Sequence, residues 1–410
     1  MLGPLARGAL CLLAVSIVLC NGDPRSDATR SAAVLSLEDY EDSGDDSSSF
    51  SFTFPETRPR GLVFGFYDET CPDAEEIVSS TVRRLYHADS NVAAALVRLF
   101  FHDCFIHVRP NKPRVRPVPG FLVVLLFLLP AMLTRAHAKM PSPPGRRVQG
   151  CDASVLLDRV GGRRSERDAG PNKSLRGFGA VEAIKQRVEA ACPGTVSCAD
   201  ILALAARDSL VLVGGPTYPV LTGRRDSTAS FYYEAAVAGN IPAPNATYAM
   251  TLDAFARRGF TERETVALLG AHSIGKVRCR FFTDRIYNFA GTGAPDDSID
   301  PDMVGEMRAV CGGDGGAPME MGYYRQGREV GFGAHYYAEL LEGRGILRAD
   351  QQLTAGSTVR WVRVYASGAR GEEVFREDFA HAMVKLSAIA PLTGSDGQLR
   401  ISCSKPVEEN

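Results

Sequence analysis

The sequence predicts an all-α, mostly helical domain with a few short strands. Apolar residues recur at three- and four-residue spacing through one segment after another, which is the period of a helix packed on one face. Turn signals such as GGP, IPAP and PLTG separate these segments. The only strand-like stretch is TYPVLTGRRDS, and the alternation of strands and helices typical of a parallel sheet is absent.

The helical segments run from residue 74 to residue 389. The first two are Ala74–His87 and Asn91–Phe105. The same spacing predicts helices in residues 176–192, 198–214, 246–259, 261–273, 300–311, 333–345 and 372–389.

Residues 1–60 precede this pattern. Arg7, the apolar run ALCLLAVSIVLC and the polar NGDP have the layout of a secretory signal peptide over residues 1–22, and its core is short for a membrane span. Residues 23–60 are acidic and serine-rich, which predicts a disordered tail before a domain over residues 61–405.

With 23% charged residues and a net charge of −2, the chain has no electrostatic signature of nucleic-acid binding.

Cysteine usage also favours secretion. Of ten cysteines, Cys11 and Cys20 fall in the signal. An even number in a secreted chain predicts disulfides, but eight cysteines permit 105 pairings, so spacing alone leaves the connectivity open. A zinc site is disfavoured because only Cys192 and Cys198 are close together in sequence.

The stretch RLFFHDCF carries chemistry. Arg98 and His102 lie one turn apart on one helix face. A neutral histidine can take and return a proton near neutral pH, and a fixed guanidinium stabilises charge that develops beside it. Phe100 and Phe101 would shield such a site from water. The alternative is an exposed arginine and a histidine that caps the helix end.

Two further stretches hold candidate ligands. His272 lies in LGAHSIG, and Asp350 in ILRADQQL could orient such a ligand; a core histidine and a helix N-cap are the competing interpretations. In GCDASVLLD, Asp152 and Ser154 offer oxygen atoms that suit calcium, and Asp103 would join them if Cys104 and Cys151 were brought together.

Together these stretches resemble the class III secretory plant haem peroxidases. The resemblance runs from about Gly65 to Cys403 and rests on an ordered series of motifs: GFYDETCP, RLFFHDCF, GCDASVLLD, SER…AGPN…LRGF, CPGTVSCADILALAARD, GGPTYPVLTGRRDS, IPAP, LGAHSIG, RIYNF, DQQL and PLTG. It implies two helical lobes around haem b, and hydrogen peroxide and small phenolic donors as substrates.

The resemblance also implies roles for single residues. His102 would be the distal acid–base group, Arg98 its charge-stabilising partner, and Asn172 the residue that orients His102, with Glu166 behind it. The haem-binding residues would be His272 as axial ligand, Asp350 as its hydrogen-bond acceptor and Phe101. Pro242 would line the donor site at the haem edge.

The family's disulfides map onto every remaining cysteine: Cys71–Cys192, Cys104–Cys151, Cys198–Cys403 and Cys279–Cys311. A distal calcium ion would take side chains of Asp103, Asp152 and Ser154 and carbonyls of Gly150 and Val148. The proximal site keeps Ser273, but glycines, Gly322 and Gly333, stand where the family has aspartates. We therefore expect the proximal calcium site to be empty or degraded.

Residues 106–147 depart from the family, which joins the two flanking motifs through a few residues. Basic and proline-rich sequence brackets the apolar run GFLVVLLFLLPAML, which is shorter than the roughly 20 residues of a membrane helix. We interpret the insert as translated intron or a gene-model error, with a membrane-associating hairpin as the alternative.

The resulting prediction is a secreted, monomeric peroxidase with no nucleic-acid or membrane partner. The sequons at Asn172 and Asn245 predict a glycan at Asn245, because Asn172 should face the distal pocket. Two alternatives are a catalytically silent protein disabled by the insert, and a non-haem metal hydrolase that uses His102, Asp103 and His272.

Overall fold

Helices dominate the structure, a computed structural model that describes residues 61–106, 150–237, 239–312, 317–322 and 331–407. Their α-helices are α1 Ala74–Ala88, α2 Asn91–Phe105, α3 Phe178–Ala191, α4 Cys198–Leu212, α5 Tyr232–Ala236, α6 Tyr248–Ala256, α7 Glu262–Leu269, α8 Thr283–Tyr287, α9 Pro301–Cys311, α10 His335–Leu341, α11 Arg348–Gln351, α12 Val359–Tyr365 and α13 Ala369–Ser387. The mostly helical fold class is confirmed. The signal peptide, the acidic tail, Val148 and all of the insert but Ile106 lie outside the described residues.

Four two-residue strands form two small antiparallel pairs. Strand β1, Arg224–Arg225, pairs with β4, Leu392–Thr393, and strand β2, Lys276–Val277, pairs with β3, Met319–Glu320. Strand β1 lies within the stretch predicted to hold strands. Each pair ties together segments that are far apart in sequence.

Local sequence signals set several helix starts. The Ser197 side chain accepts a hydrogen bond from the Asp200 amide at the start of α4. Helix α7 begins with a capping box between Thr261 and Glu264. Helix α9 begins after Asp300 with Pro301 in its first turn. These ends satisfy backbone donors that would otherwise have no partner.

The main core joins the first four helices to the last two. Helix α4 packs against α1, α2 and α3, and α13 packs against α7 and α12. A second, smaller core surrounds α8 and α9 and includes Phe282, Ile286 and Met307. The segment Asn91–Phe105, predicted to be helical, is therefore a helix of the main core, packed against α4.

Buried charges fix the strands to the helices. Arg224 is 1% exposed, and its Nη1 lies 2.7 Å from Oδ1 of Asp200. The other carboxylate oxygen of Asp200, Oδ2, accepts a hydrogen bond from the Tyr67 hydroxyl. Asp226 accepts hydrogen bonds from the amides of Ala199 and Arg400. Such pairs are strongly destabilising to break because one charge would remain buried alone.

Among the residues that the structure describes, no helix combines the length and the apolar character needed to cross a membrane.

Candidate active site

Helix α2 places His102 in a buried position, and Asn172 holds it there. His102 is 4% exposed, and its Nδ1 lies 2.8 Å from Oδ1 of Asn172. The Asn172 Nδ2 group donates to the backbone carbonyl of Glu166 at 2.9 Å, which fixes the amide orientation. The amide oxygen therefore faces His102, so the Nδ1 of His102 carries the proton and Nε2 keeps its lone pair.

The surroundings of His102 keep its ring neutral. Burial lowers its pKa to about 3, the charge of Arg98 acts in the same direction, and the hydrogen bond with Asn172 opposes them. At neutral pH the imidazole is therefore a base with a free lone pair on Nε2.

Arg98 lies one helical turn before His102 and reaches the Asn172 loop. Its Nη2 donates to Oγ of Ser174 at 3.0 Å and to the Pro171 carbonyl at 3.4 Å. Burial and the charge of Arg176 lower the pKa of Arg98 to about 10, so the guanidinium stays charged at neutral pH. The contact with Ser174 was not predicted, although Ser174 belongs to the same motif as Asn172.

His272 lies in the 3-10 helix Gly270–Ser273, directly after α7. Its Nδ1 is 2.8 Å from Oδ1 of Asp350, which is 1% exposed on α11. Asp350 is inside that helix and the N-cap residue is Leu347, so the competing interpretation of Asp350 as an N-cap is wrong. The carboxylate accepts a hydrogen bond from Nδ1–H, so the lone pair on Nε2 of His272 is available to bind a metal.

The electrostatics connect the two histidines. Burial lowers the pKa of His272, but the charge and hydrogen bond of Asp350 outweigh burial and raise it. The charge of Arg98 therefore reaches both imidazoles, although His102 and His272 are far apart in sequence.

Phe101 and Pro242 lie in the neighbourhood of this site. The ring of Phe101 makes an edge contact with His102 at 6.0 Å between centroids and packs against a small apolar cluster. Ile241, the residue before Pro242, belongs to that cluster together with Ala169. The structure therefore brings the IPAP loop next to Phe101.

Acidic side chains converge beneath α2. Asp103 accepts hydrogen bonds from the amides of Ala153 (2.9 Å) and Val155 (3.3 Å), and Asp152 accepts one from Ser154 (3.0 Å). The other Asp152 oxygen and the Ser154 hydroxyl are buried without a hydrogen-bond partner, and so is one carboxylate oxygen of Glu166. Orphaned buried oxygen atoms are costly unless something positive binds them.

Burial raises the pKa of all three acids, and repulsion by neighbouring carboxylates adds to the shift of Asp152 and Glu166. The pKa of Asp103 rises to about 7 and that of Glu166 to about 8, and both shifts come mainly from burial. Burial, then the charges of Asp103 and Glu166, raise the pKa of Asp152 well above its usual value. Glu166 was expected behind Asn172; its backbone carbonyl has that position, and its carboxylate is close enough to this cluster to interact with it electrostatically.

The proximal segment differs from this cluster. The Gly333 amide donates to the Ser273 hydroxyl at 3.3 Å, and Gly322 lies against the Ser273 carbonyl, so the structure brings the three residues together. Neither glycine offers a carboxylate. Among the described residues, no group of three or more His, Cys, Asp or Glu side chains has the arrangement of a metal centre.

Four disulfides connect distant parts of the domain. They are Cys71–Cys192, Cys104–Cys151, Cys198–Cys403 and Cys279–Cys311, the same four pairs that the family resemblance implies. Cys104–Cys151 joins α2 to the loop that carries Asp152, and so holds the acidic cluster together.

Comparison with known proteins agrees with this geometry. The family model described as Peroxidase matches residues 78–368. The helical fold and this match define a haem-dependent peroxidase, which is an oxidoreductase that uses hydrogen peroxide and an organic donor.

Relatives from plants narrow the family. The chain is 37% identical to Putative Peroxidase 48 of Arabidopsis thaliana, over 85% of this chain and 83% of that protein. It is 38% identical to Peroxidase 28 of Arabidopsis thaliana (86% and 95%) and 39% identical to Peroxidase N1 of Nicotiana tabacum (84% and 90%). The chain belongs to the class III plant peroxidases.

Proposed function

We propose that this peroxidase reduces hydrogen peroxide at a haem b held by His272 and oxidises small phenols one electron at a time. One observation supports it above the others: His102 and His272 are each held through Nδ1 at 2.8 Å, and both respond to the charge of Arg98. This leaves one Nε2 for a metal ligand and the other for a proton.

The residues present fit haem. Nε2 of His272 would bind the iron. Asp350 would make this imidazole a stronger electron donor to the iron by accepting a hydrogen bond from Nδ1–H. Phe101 would wall the distal side. When bound, haem supplies the electrons that break the O–O bond of peroxide and draws single electrons from the donor.

His102 would move the proton. Its Nε2 would take the proton from the peroxide oxygen that is nearer to the haem iron. It would then deliver this proton to the other oxygen, which leaves as water. Arg98 stabilises the negative charge that develops as the bond breaks. Asn172 keeps Nε2 unprotonated at the start because its oxygen accepts a hydrogen bond from Nδ1–H, which holds the proton on Nδ1.

A phenolic donor would bind at the edge of this site beside Pro242. The support is the packing of Ile241 in the apolar cluster that contacts Phe101. A flat apolar ring suits such a surface. Each donor molecule would give up one electron and its hydroxyl proton.

We also propose a calcium ion at the cluster of Asp103, Asp152 and Ser154, with carbonyls of Gly150 and Val148. The orphaned oxygen atoms of Asp152 and Ser154 are hard ligands of the kind that calcium prefers. A divalent cation there would also neutralise the repulsion between Asp103 and Asp152.

The signal peptide over residues 1–22 and the acidic tail over residues 23–60 remain proposals, as does secretion as a monomer. The four disulfides support secretion, since such bonds persist in oxidising compartments. Asn245 is exposed and Asn172 is buried, which supports Asn245 as the glycosylated sequon.

The test replaces His102 by leucine in the full chain, with exposed His87→Leu as a matched control. We expect His102→Leu to keep the Soret absorbance of bound haem and to react with hydrogen peroxide ~10²–10⁴-fold more slowly, because the proton carrier is lost. His87→Leu should be unaffected. A His102→Leu rate within threefold of the unmodified enzyme would refute the assignment.

A further inference from the structure

His335 fills the space between the two glycines of the proximal segment. A methyl group built on Gly322 would lie 3.3 Å from Nε2 of His335, and one built on Gly333 would lie 3.3 Å from its Nδ1. These are the positions where the family resemblance places two cation-binding aspartates. The half-buried imidazole therefore lies between the two positions from which carboxylates would reach a cation.

The space around Gly322 admits no side chain. A methyl group there would be 2.2 Å from the Ser273 carbonyl oxygen, far inside van der Waals contact with rigid backbone. At Gly333, a methyl group would also meet both carboxylate oxygens of Glu372 at 3.3 Å. The glycines are thus part of the arrangement that makes room for the imidazole.

The imidazole links three parts of the fold. Its Nε2 lies beside Gly322, which packs against the Ser273 carbonyl, and its Nδ1 lies beside Gly333 and the Glu372 carboxylate. The imidazole interacts electrostatically with both Ser273 and Glu372. Glu372, on α13, accepts hydrogen bonds from the Ala334 amide and from Arg376, each at 2.6 Å. A chain of polar contacts therefore runs from the loop of His272 to α13.

We infer that His335 is a positioning residue that replaces the proximal cation and holds the His272–Ser273 segment without metal. A cation in this place would need carboxylates from two positions that are glycine, and it would meet an imidazole that already lies beside both glycines and the Ser273 backbone. The bridge makes the proximal loop independent of calcium.

Three substitutions separate hydrogen bonding from packing. His335→Ala removes the bridge, His335→Gln keeps a polar group that can donate to Ser273, and His335→Phe keeps a ring without a donor. Hydrogen exchange of residues 270–277 in the full chain reports on the loop whether or not haem is bound. We expect exchange at least tenfold faster in the Ala and Phe variants, partial recovery in the Gln variant, and no change in His87→Ala.

Two results would overturn the bridge. One is exchange in His335→Ala within twofold of the unmodified chain. The other is full recovery in His335→Phe, because the ring would then act by packing alone.

A spectroscopic measurement connects the bridge to the metal ligand. In the reduced haem-bound protein, His335→Ala should shift the iron–histidine stretching band, and His335→Gln should partly restore it. Of these experiments, only the measurement of the iron–histidine band depends on the proposed role of His272 as the haem ligand. An unshifted band in a protein with faster exchange would show that the bridge holds the loop without positioning His272, and would overturn that part of the inference.

Calcium content tests the replacement directly. The Asp152→Asn variant disables the proposed distal site, so any calcium that it retains belongs elsewhere. After incubation with calcium and gel filtration, we expect Asp152→Asn to retain none, with or without His335. One equivalent retained in Asp152→Asn, and chelator-sensitive exchange at residues 270–277, would show a proximal cation and refute the replacement.

Discussion

At the scale of single residues, the same Nδ1 hydrogen bond has opposite effects on the pKa of two histidines. His102 and His272 are both held through Nδ1 at 2.8 Å. The partner of His102 is a neutral amide, so burial dominates and lowers its pKa to about 3. The partner of His272 is a buried carboxylate, which raises its pKa despite burial. The first ring is suited to accept a proton and the second to donate electron density to a metal.

This contrast predicts the effect of Asp350→Asn. The neutral amide would no longer raise the pKa of His272, and the imidazole would become a weaker donor. We expect haem to bind, the reduction potential to rise, and the reaction with hydrogen peroxide to slow by about 10–100-fold. Spectroelectrochemistry and stopped-flow absorbance measure the two quantities. An unchanged potential would contradict the role given to Asp350.

At the scale of elements, α2 serves several functions along one length. It presents Arg98 and His102 to the active site, Asp103 to the acidic cluster and Cys104 to a disulfide. A change at Asp103 should therefore reach His102, which is the preceding residue of the same helix.

The acidic cluster predicts a stability that depends on pH and calcium together. The pKa values of Asp103 (about 7) and Glu166 (about 8) lie above those of the unfolded chain, so the folded state binds more protons. Without metal, this stabilisation is fully present below about pH 4 and is lost as pH rises to 8. The loss should be on the order of a few kcal/mol.

Calcium should reverse that loss, because it replaces the protons as the source of positive charge. Urea unfolding of chelated protein at pH 5 and pH 8, with and without added calcium, measures the effect. We expect calcium to stabilise strongly at pH 8 and weakly at pH 5, and Asp152→Asn to respond at neither. Equal stabilisation by calcium at both pH values would argue against the cluster as the binding site.

At the scale of the whole molecule, the insert is the feature that does not match the family. Ile106, its first residue by sequence, is fully buried with Ala169, Ala235 and Ile241. Ile106 therefore packs with the described part of the domain, and the predicted boundary at about residue 106 stays a prediction. Closing the Cys104–Cys151 loop over 47 residues costs only ~2 kcal/mol more than closing a loop of a few residues. Entropy alone does not prevent folding.

We predict that a chain lacking residues 107–147 takes up haem more completely than the full chain. The reason is that the deletion removes an apolar run from the sequence between Asp103 and Asp152, while Ile106 stays in its packed position. Refolding both chains with haem and calcium, then measuring Soret absorbance and oxidation of a simple phenol, provides the comparison. Equal haem uptake and turnover would show that the insert is tolerated.

Much of the fold was predictable because helical periodicity is a local property. The segments at 74–87, 91–105 and 198–214 form helices close to those limits. Helix α12 was missed because its sequence, VRWVRVY, is only seven residues long and repeats one arginine every third position, which is too short a pattern to define a helical face. It is a helix because Trp361, Val362 and Tyr365 all reach the core. The buried pairs of Arg224 and Arg400 were also missed, since charged residues are ordinarily exposed.

The sequence by itself determined the helical class, the shared face of Arg98 and His102, and, through its ordered motifs, the peroxidase family. These depend on residues within a turn or two of each other. Only the tertiary structure decided that Asp350 meets His272 rather than capping a helix, and that His335 lies between two glycines beside Ser273. The contact of His272 with Asp350 and the approach of His335 to Ser273 join residues 78 and 62 positions apart, and their energy comes from burial and charge that no local pattern records.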